Sequence, residues 1–178
     1  MHEFELRISG SGGQGILLAG RILADALGLA ALNVAQSQSY EPTSRGGLSR
    51  ADLVASNGKV DYPLASDLDY LVILDVIAAT ASNDLLKKDS LVLVDSPLQE
   101  LCKLNGHAAN YLPISETARG LGDIRSTNMV ALGALTSLAG FCSRDNLLAA
   151  VARIAPAKLV APATRAVMQG YAIASDTK

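Results

Sequence analysis

Residues 4–27 have the sequence FELRISGSGGQGILLAGRILADAL, in which a glycine-rich segment separates two different hydrophobic patterns. Before that segment, residues 4–9 alternate apolar and charged side chains, which predicts a β-strand. After it, residues 14–27 place apolar side chains at helical spacing, and Gly28 is a plausible helix stop. A second short strand is predicted at residues 32–36. Strand, helix and strand in this order indicate a βαβ unit and therefore a Rossmann-like start to an α/β fold.

The rest of the sequence predicts further strands of the sheet, two of them joined as an antiparallel hairpin. The dipeptide Asn57-Gly58 is a strong hairpin signal, because both residues tolerate positive φ. Further strands are predicted at residues 52–56, 59–62, 70–74, 91–94 and 109–112. Helices are predicted at residues 77–86, 127–142, 143–154 (with Ser143 as its N-cap) and 163–173, the last after a connector bracketed by Pro156 and Pro162. The sequence therefore predicts a single domain, residues 1–178, built as a three-layer α/β/α structure around a mostly parallel, mixed central sheet.

The composition limits the classes of function. The chain has 178 residues, of which 49% are hydrophobic and 18% charged, as expected of a globular protein. Its net charge is −2 and no basic stripe is present, so no nucleic-acid partner is expected. The longest apolar segments, residues 16–32 and 129–142, are interrupted by charge or too short to span a membrane. Because residues 1–5 also lack signal-peptide features, we expect a cytoplasmic protein.

Residues that could hold a metal or form a catalytic triad are scarce. Cys102 and Cys142 are too far apart in sequence for a clustered thiolate site, so neither a zinc nor an iron–sulfur site is expected in this chain. The only histidines, His2 and His107, belong to no recognisable triad or metal pattern. The sequence therefore predicts no catalytic residue and no metal ligand, and any cluster that the function needs would lie on another chain.

The glycine-rich segment is the first candidate binding motif. It fits the pattern G-x-G-x-x-G, with glycines at Gly10, Gly12, Gly13 and Gly15 and a glutamine at Gln14. A strand that feeds a glycine turn and then a helix presents free backbone N–H groups to an anion. The second strand, however, ends in glutamine and serine rather than the acidic residue that holds the ribose of NAD. The motif thus favours a phosphate-bearing ligand over a dinucleotide, and close packing of the loop is the alternative.

The second candidate motif follows the second strand. Residues 39–47 read SYEPTSRGG and supply Tyr40, Arg45, Gly46 and Gly47. Loops after parallel strands lie at the carboxyl edge of the sheet, so Arg45 is expected beside the glycine loop, where it could meet an anion or a partner's carboxylate. A solvated surface turn is the alternative. Asn128, which opens the 127–142 helix, is a further candidate, with helix capping or a buried amide as its simpler reading.

Together these motifs resemble one family, the gamma subunits of 2-oxoacid:ferredoxin oxidoreductases. The family pattern is G-x-G-G-Q-G, then R-G-G, a short hairpin, and later N-x-x-x-L-G, which correspond here to residues 10–15, 45–47, the Asn57-Gly58 region and residues 128–133. The loop at residues 38–47 is most similar to the 2-oxoglutarate branch, and the small subunit of indolepyruvate oxidoreductase is the alternative. One departure lies in residues 163–170, where an asparagine and an aromatic residue of the family pattern are missing.

The resemblance implies a subunit rather than a free enzyme. Complexes of this family oxidatively decarboxylate a 2-oxoacid, transfer the acyl group to coenzyme A and reduce ferredoxin. Thiamine diphosphate and iron–sulfur clusters would then lie on alpha and beta partners and, where present, a ferredoxin-like delta partner. For this chain the resemblance implies a structural role and, as a hypothesis, a pocket for the anionic part of coenzyme A formed by Gly12, Gly13, Gln14, Gly15 and Arg45.

Three other functions remain open at this stage. The two loops could serve only to pack against the thiamine-binding subunits. The chain could be a free-standing nucleotide-binding oxidoreductase, which would bind NAD or FAD when isolated. It could also be a non-catalytic structural or regulatory protein, whose removal would leave decarboxylation by its partners intact.

Overall fold

The computed structural model describes residues 3–41, 46–60 and 62–176 and contains a six-stranded mixed sheet. The strands are β1 (Phe4–Ser11), β2 (Asn33–Tyr40), β3 (Leu48–Ser56), β4 (Leu68–Ile73), β5 (Leu86–Asp95) and β6 (Asn110–Leu112). Their order is β2-β3-β1-β4-β5-β6. Strands β1, β4, β5 and β6 pair in parallel, whereas β3 lies antiparallel between β1 and β2. The predicted mixed, mostly parallel sheet is confirmed.

The five α-helices cover one face of this sheet, and short 3₁₀ helices and loops cover the other. The α-helices are α1 (Ile16–Leu29), α2 (Ile114–Gly120), α3 (Thr127–Ala139), α4 (Arg144–Ile154) and α5 (Ala157–Ser175). Their apolar sides pack with Leu6 and Ile8 of β1 in the larger hydrophobic cluster. On the opposite face, Leu71 and Ile73 of β4 pack in a second cluster beneath the 3₁₀ helices and loops. Alternate residues of β4 and β5 thus contribute to two separate cores, as the strand period of two requires. No helix in the described ranges is long and apolar enough to cross a membrane.

The predicted hairpin at Asn57-Gly58 is wrong. Strand β3 ends at Ser56, and described residues 59, 60 and 62 belong to no strand. The Gly58 backbone N–H donates to Ser56 Oγ (3.0 Å), and the Gly58 carbonyl accepts from Asn33 Nδ2 (2.8 Å), so the chain turns away after β3. The antiparallel hairpin is instead formed by β2 and β3, joined through residues 41–47. Strand β2 also continues to Tyr40, well past the predicted end at residue 36.

Several predicted helix boundaries also need correction. The helix predicted at residues 77–86 is replaced by two 3₁₀ turns, Val76–Ala78 and Asn83–Leu85, the first capped by Asp75, whose carboxylate accepts from the Ile77 N–H. Pro162 lies inside α5 rather than in a connector, since that helix already begins at residue 157. Helix α3 stops at Ala139, before left-handed Gly140, and the short helix α2 was not predicted. The predicted cap of α4 is confirmed: Ser143 Oγ accepts from the Asn146 N–H at 3.1 Å.

Two partly buried acids, Cys142 after the end of α3 and Tyr171 on α5, make the fold sensitive to alkali. Burial raises the pKa of Cys142 to about 11 and that of Tyr171 to about 12. In the unfolded chain the thiol ionises near its ordinary pKa of 9.0, so protons are lost on unfolding between about pH 9 and pH 11. We therefore expect the free energy of unfolding to fall across this range. In urea titrations the fall should be shallower for Cys142→Ala, and an identical fall in both proteins would contradict the assignment.

Candidate functional site

The glycine loop closes the turn between β1 and α1. Helix α1 begins at Ile16, after Gly15 at φ 71°, and no side chain caps its first backbone N–H groups. Gly13 has φ 95°, and a side chain there would meet no atom within 4 Å. Both positions lie in the left-handed region that favours glycine. The uncapped N-terminus of a 14-residue helix therefore faces open space across Gly13, which suits an anion.

Gln14 holds the loop in place. Its Oε1 accepts from the Ser11 backbone N–H (2.9 Å), and its Nε2 donates to the Leu74 carbonyl at the end of β4 (3.0 Å). The Ser11 hydroxyl donates to the Asp75 carboxylate at 2.7 Å. Both ends of the Gln14 amide are thus hydrogen-bonded within the protein. Gln14 therefore positions the loop.

The two predicted loops lie together. The Gly12 N–H donates to the Gly47 carbonyl at 2.8 Å, and a Cβ on Gly12 would lie 3.0 Å from the ring of Tyr40, which is 52% exposed. A Cβ on Gly10 would lie 2.3 Å from Gln14 Oε1, so this glycine makes room for the glutamine. Gly46, which directly precedes Gly47 in the second loop, has φ 56°. Arg45 lies outside the described residues.

Asn128 joins the glycine loop to a second helix. It is 4% exposed, and its Nδ2 donates to the Gly15 carbonyl at 2.9 Å, while its Oδ1 accepts from the Met129 N–H at 2.9 Å. A Cβ on Gly15 would lie 2.5 Å from Asn128 Nδ2, so only glycine fits there. The predicted buried amide is therefore a clamp between the N-termini of α1 and α3. The N-termini of α1 and α3, and with them two positive dipole ends, therefore meet at this point. In α3, however, the Thr127 N–H already donates to the Ile124 carbonyl and the Met129 N–H to Asn128 Oδ1.

A cavity of about 200 Å³ lies beside the clamp. Three predicted site residues, Gly13, Gly15 and Asn128, line it. Sequence reasoning missed Arg125, which also lines it and pairs with Asp123 at 2.9 Å. Hydrogen bonds from the Arg125 side chain lower the pKa of Asp123. The 124–126 turn lies far from both glycine motifs in sequence, and a lone arginine there matches no binding motif.

The described residues hold no group of three histidine, cysteine, aspartate or glutamate side chains placed to bind a metal ion. What the site offers is backbone N–H groups, one clamping amide and an arginine. Such an arrangement can hold and orient an anionic ligand, while the reacting groups would come from elsewhere.

Comparison with known proteins agrees with this geometry. Residues 5–173 match the family model described as pyruvate ferredoxin/flavodoxin oxidoreductase. The chain belongs to this family. The pyruvate ferredoxin/flavodoxin oxidoreductase family therefore accounts for both the glycine loops and the mixed sheet, and the resemblance drawn from the motifs is confirmed.

The relatives within this family include small subunits. The chain is 39% identical over 139 residues to 2-oxoglutarate synthase subunit KorC of Archaeoglobus fulgidus, covering 78% of this chain and 72% of that protein. It is 35% identical over 176 residues to the Methanocaldococcus jannaschii protein of the same name, covering 97% and 94%.

Solved structures show the same architecture. The keto/oxoacid ferredoxin oxidoreductase gamma subunit of Geobacter sulfurreducens is similar with a TM-score of 0.85 at 34% identity, covering 99% of this chain and 98% of that one. A second similar structure is 2-oxoglutarate:ferredoxin oxidoreductase of Magnetococcus marinus with 2-oxoglutarate, coenzyme A and succinyl-CoA bound. Its TM-score is 0.83 at 25% identity, and the match covers 99% of this chain and 32% of the other. The same fold thus occurs both as a separate subunit and as part of a longer chain.

Proposed function

We propose that this chain is the gamma subunit of a cytoplasmic 2-oxoacid:ferredoxin oxidoreductase of the 2-oxoglutarate branch. The observation that carries the proposal is the near full-length similarity to 2-oxoglutarate synthase subunits, 35% identity over 97% of the chain. In this role the chain works with alpha and beta subunits and, where present, a ferredoxin-like delta subunit. The complex would convert 2-oxoglutarate, coenzyme A and oxidised ferredoxin into succinyl-CoA, carbon dioxide and reduced ferredoxin.

The chemistry of bond cleavage and electron transfer belongs to the partners in this proposal. Thiamine diphosphate on a partner subunit would supply the decarboxylation chemistry, and iron–sulfur clusters there would accept the electrons. Among the described residues, neither cysteine lies in a group of three side chains that could hold a metal ion, and burial raises the pKa of both thiols. The isolated subunit would therefore be inactive.

The subunit's own contribution is to bind the anionic part of coenzyme A. Support comes from the open, uncapped N-terminus of α1 at Gly13 and Gly15, and from the N-terminus of α3 that Asn128 holds beside it. Two helix N-termini together favour negative charge at the same place. Arg45 belongs to the loop whose Gly47 is hydrogen-bonded to Gly12, and we assign it a phosphate group of the coenzyme.

Arg45→Ala tests this assignment in the assembled complex. We expect the KM for coenzyme A to rise about tenfold, the loss of one charge-assisted contact, and the KM for 2-oxoglutarate to stay unchanged. The measurement is steady-state reduction of ferredoxin with each substrate varied. Arg153→Ala is the matched control, because it removes the same charge at the far end of α1, beside Asp25. An unchanged coenzyme A KM with weakened assembly would show that the loop serves packing instead.

Affinity purification tests the subunit assignment itself. The tagged chain, isolated anaerobically from its host, should bring down thiamine-binding and iron–sulfur subunits with coenzyme A-dependent oxidation of a 2-oxoacid. The 2-oxoacid oxidised fastest should be 2-oxoglutarate, and faster turnover of indolepyruvate would move the chain to that branch. Isolation of the chain alone with a bound nucleotide would refute the proposal.

A further inference from the structure

Two arginines share one face of the sheet with a single aspartate. Arg7 of β1 lies opposite Asp52 of β3, and Arg50 lies two residues before Asp52, on the face turned away from the five α-helices. Arg7 and Asp52 are each 6% exposed, and two nitrogens of Arg7 donate to the two Asp52 carboxylate oxygens at 2.7 Å each. The Asp52 carboxylate is therefore committed to Arg7, and these three residues together carry one positive charge in excess.

Arg50 also has unused hydrogen-bonding capacity. Its Nε is buried and has no hydrogen-bond partner within the part of the chain that the structure describes. The same holds for the hydroxyl of Ser9, which is 0% exposed and lies directly opposite Arg50 on β1. Buried donors without partners are costly. The pKa of Arg50 is lowered, first by burial and then by Arg7, and the opposing effect of Asp52 and Glu41 does not cancel this shift. A further carboxylate would therefore stabilise this guanidinium.

The neighbouring strand leaves Arg50 open to such a group. Opposite residues 50–54 of β3, the edge strand β2 presents only the small side chains of Ala35, Ser37 and Ser39 on this face. Ser39 lies directly opposite Arg50 and is exposed, and Arg50 itself is only half-buried. Because small side chains let another backbone approach closely, a group from a second protein can reach the Arg50 side chain across β2.

We propose that Arg50 is a docking point for another subunit of the complex, which places an aspartate or glutamate carboxylate against Arg50 beside the serines of β2. This inference rests on the proposed function, because the subunit assignment supplies the partner. The carboxylate neutralises the excess charge of the cluster, and docking excludes the water that would otherwise screen the pair. The chain as a whole carries a net charge of −2, so the attraction is local to this face.

Subunit exchange tests the docking point in the assembled complex. A complex built with the labelled chain is chased with an excess of the unlabelled chain, and loss of label gives the dissociation rate. Arg50→Gln should raise this rate at least about tenfold, because it removes one partner of a desolvated charge pair. Added salt should also accelerate dissociation less than in the wild type. Arg153→Gln is the control, since it removes the same charge from a side chain that is 58% exposed beside Asp25, and it should change neither quantity.

Urea unfolding of the free chain distinguishes docking from a role of Arg50 inside the fold. Arg50→Gln should leave the unfolding midpoint unchanged or raise it, because the variant removes a positive charge beside Arg7. A clearly lower midpoint would show that Arg50 stabilises the fold itself and would contradict the proposal.

Ser39→Glu gives a second test in which Arg50 stays in place. The new carboxylate lies directly opposite Arg50 and pairs with it inside the chain, so the unfolding midpoint should rise. Because the docking point is then occupied, dissociation from the complex should be faster. Ser39→Gln adds similar bulk without the charge and should accelerate dissociation less. Wild-type dissociation of Ser39→Glu would refute the proposal, whatever Arg50→Gln does.

The outcomes also separate this inference from the proposed function. If the wild-type chain joins no thiamine-binding subunit, both fail. If the wild type assembles and neither Arg50→Gln nor Ser39→Glu dissociates faster, the subunit assignment stands and the docking point is refuted. Once the subunits are present at saturating concentration, the KM for coenzyme A should be the same in both variants as in the wild type. A higher KM would assign Arg50 to the coenzyme instead of the partner.

Discussion

Replacing Gly133 by alanine is expected to destabilise the protein by more than about 3 kcal/mol, because no space exists for the added methyl group. A Cβ at Gly133 would lie 2.0 Å from the Val167 carbonyl oxygen of α5. The contact is reciprocal, since a Cβ at Gly170 would lie 2.1 Å from the Val130 carbonyl oxygen of α3. Both obstacles are backbone atoms, so no side-chain rotation can relieve them. The two helices would have to separate, which would open the core between them.

Gly28→Ala is the matched control for this change. Gly28 also lies in a helix, but a Cβ there meets no atom within 4 Å. Alanine should therefore stabilise that position by up to about 1 kcal/mol through helix propensity. Urea unfolding followed by circular dichroism would measure the free energy of unfolding of the wild type and of the three variants. Gly170→Ala is expected to behave like Gly133→Ala. Equal midpoints for Gly133→Ala and Gly28→Ala would show that α3 and α5 can move apart at little cost.

These glycines also show what a motif can and cannot say. Gly133 closes the N-x-x-x-L-G pattern that supported the family resemblance, yet its neighbour across the helix pair is 34 positions away in sequence. The pattern identified the glycine but not why glycine is required there, because the requirement comes from a contact between two helix backbones. Asn128, at the other end of the same pattern, was read as a cap or a buried amide, and it is a buried, hydrogen-bonded amide. What the pattern did not reveal is its partner, the Gly15 carbonyl of the glycine loop.

The sheet was predictable where periodicity was strong and local. Strands β4 and β5 are apolar runs buried from both sides, and both were found. Strand β2 was cut short because its second half, Ser37 to Tyr40, is polar, and an edge strand needs little apolar content. The Asn57-Gly58 signal was misleading because both edges of β3 are already paired, with β2 through the 41–47 connection and with β1 across the sheet, so the chain that follows finds no free edge.

The candidate site was likewise predicted where the signal was local and missed where it depends on packing. The glycines and Gly47 were predicted to lie together, since loops after parallel strands share one edge of the sheet, and the Gly12–Gly47 hydrogen bond brings them there. The apolar cavity was missed because it forms only when α1, α3 and α5 pack together. Arg125 was missed because only that packing shows that it lines the cavity. A cavity is a property of three helices at once and leaves no pattern in any of their sequences.

A buried ion pair was hidden within the apparently exposed alternation of β1. The alternation of apolar and charged residues predicted the strand but not the burial of Arg7, which is 6% exposed and lies directly opposite Asp52 on β3. Arg7 Nε and Nη2 donate to the two Asp52 carboxylate oxygens, each at 2.7 Å, and Nη1 donates to Ser82 Oγ at 3.1 Å. Arg50, two residues before Asp52, points to the same face of the sheet. Burial, followed by the positive charge of Arg7, lowers the pKa of Arg50.

Asp52→Ala should therefore cost about 3–5 kcal/mol, because it leaves a buried guanidinium without its carboxylate and beside a second positive charge. The control is Arg153→Ala, which breaks an ion pair of 3.4 Å whose arginine is 58% exposed, and which should cost less than about 1 kcal/mol. Removing both charges of the buried pair, in Arg7→Met combined with Asp52→Leu, should restore most of the stability lost in the single variant. Urea unfolding of the wild type, Arg7→Met, Asp52→Leu and the double variant forms a double-mutant cycle, with Asp52→Ala and Arg153→Ala measured beside it. If the double variant is no more stable than Asp52→Ala, the pair is needed for a reason other than mutual neutralisation, such as fixing the register of β1 on β3.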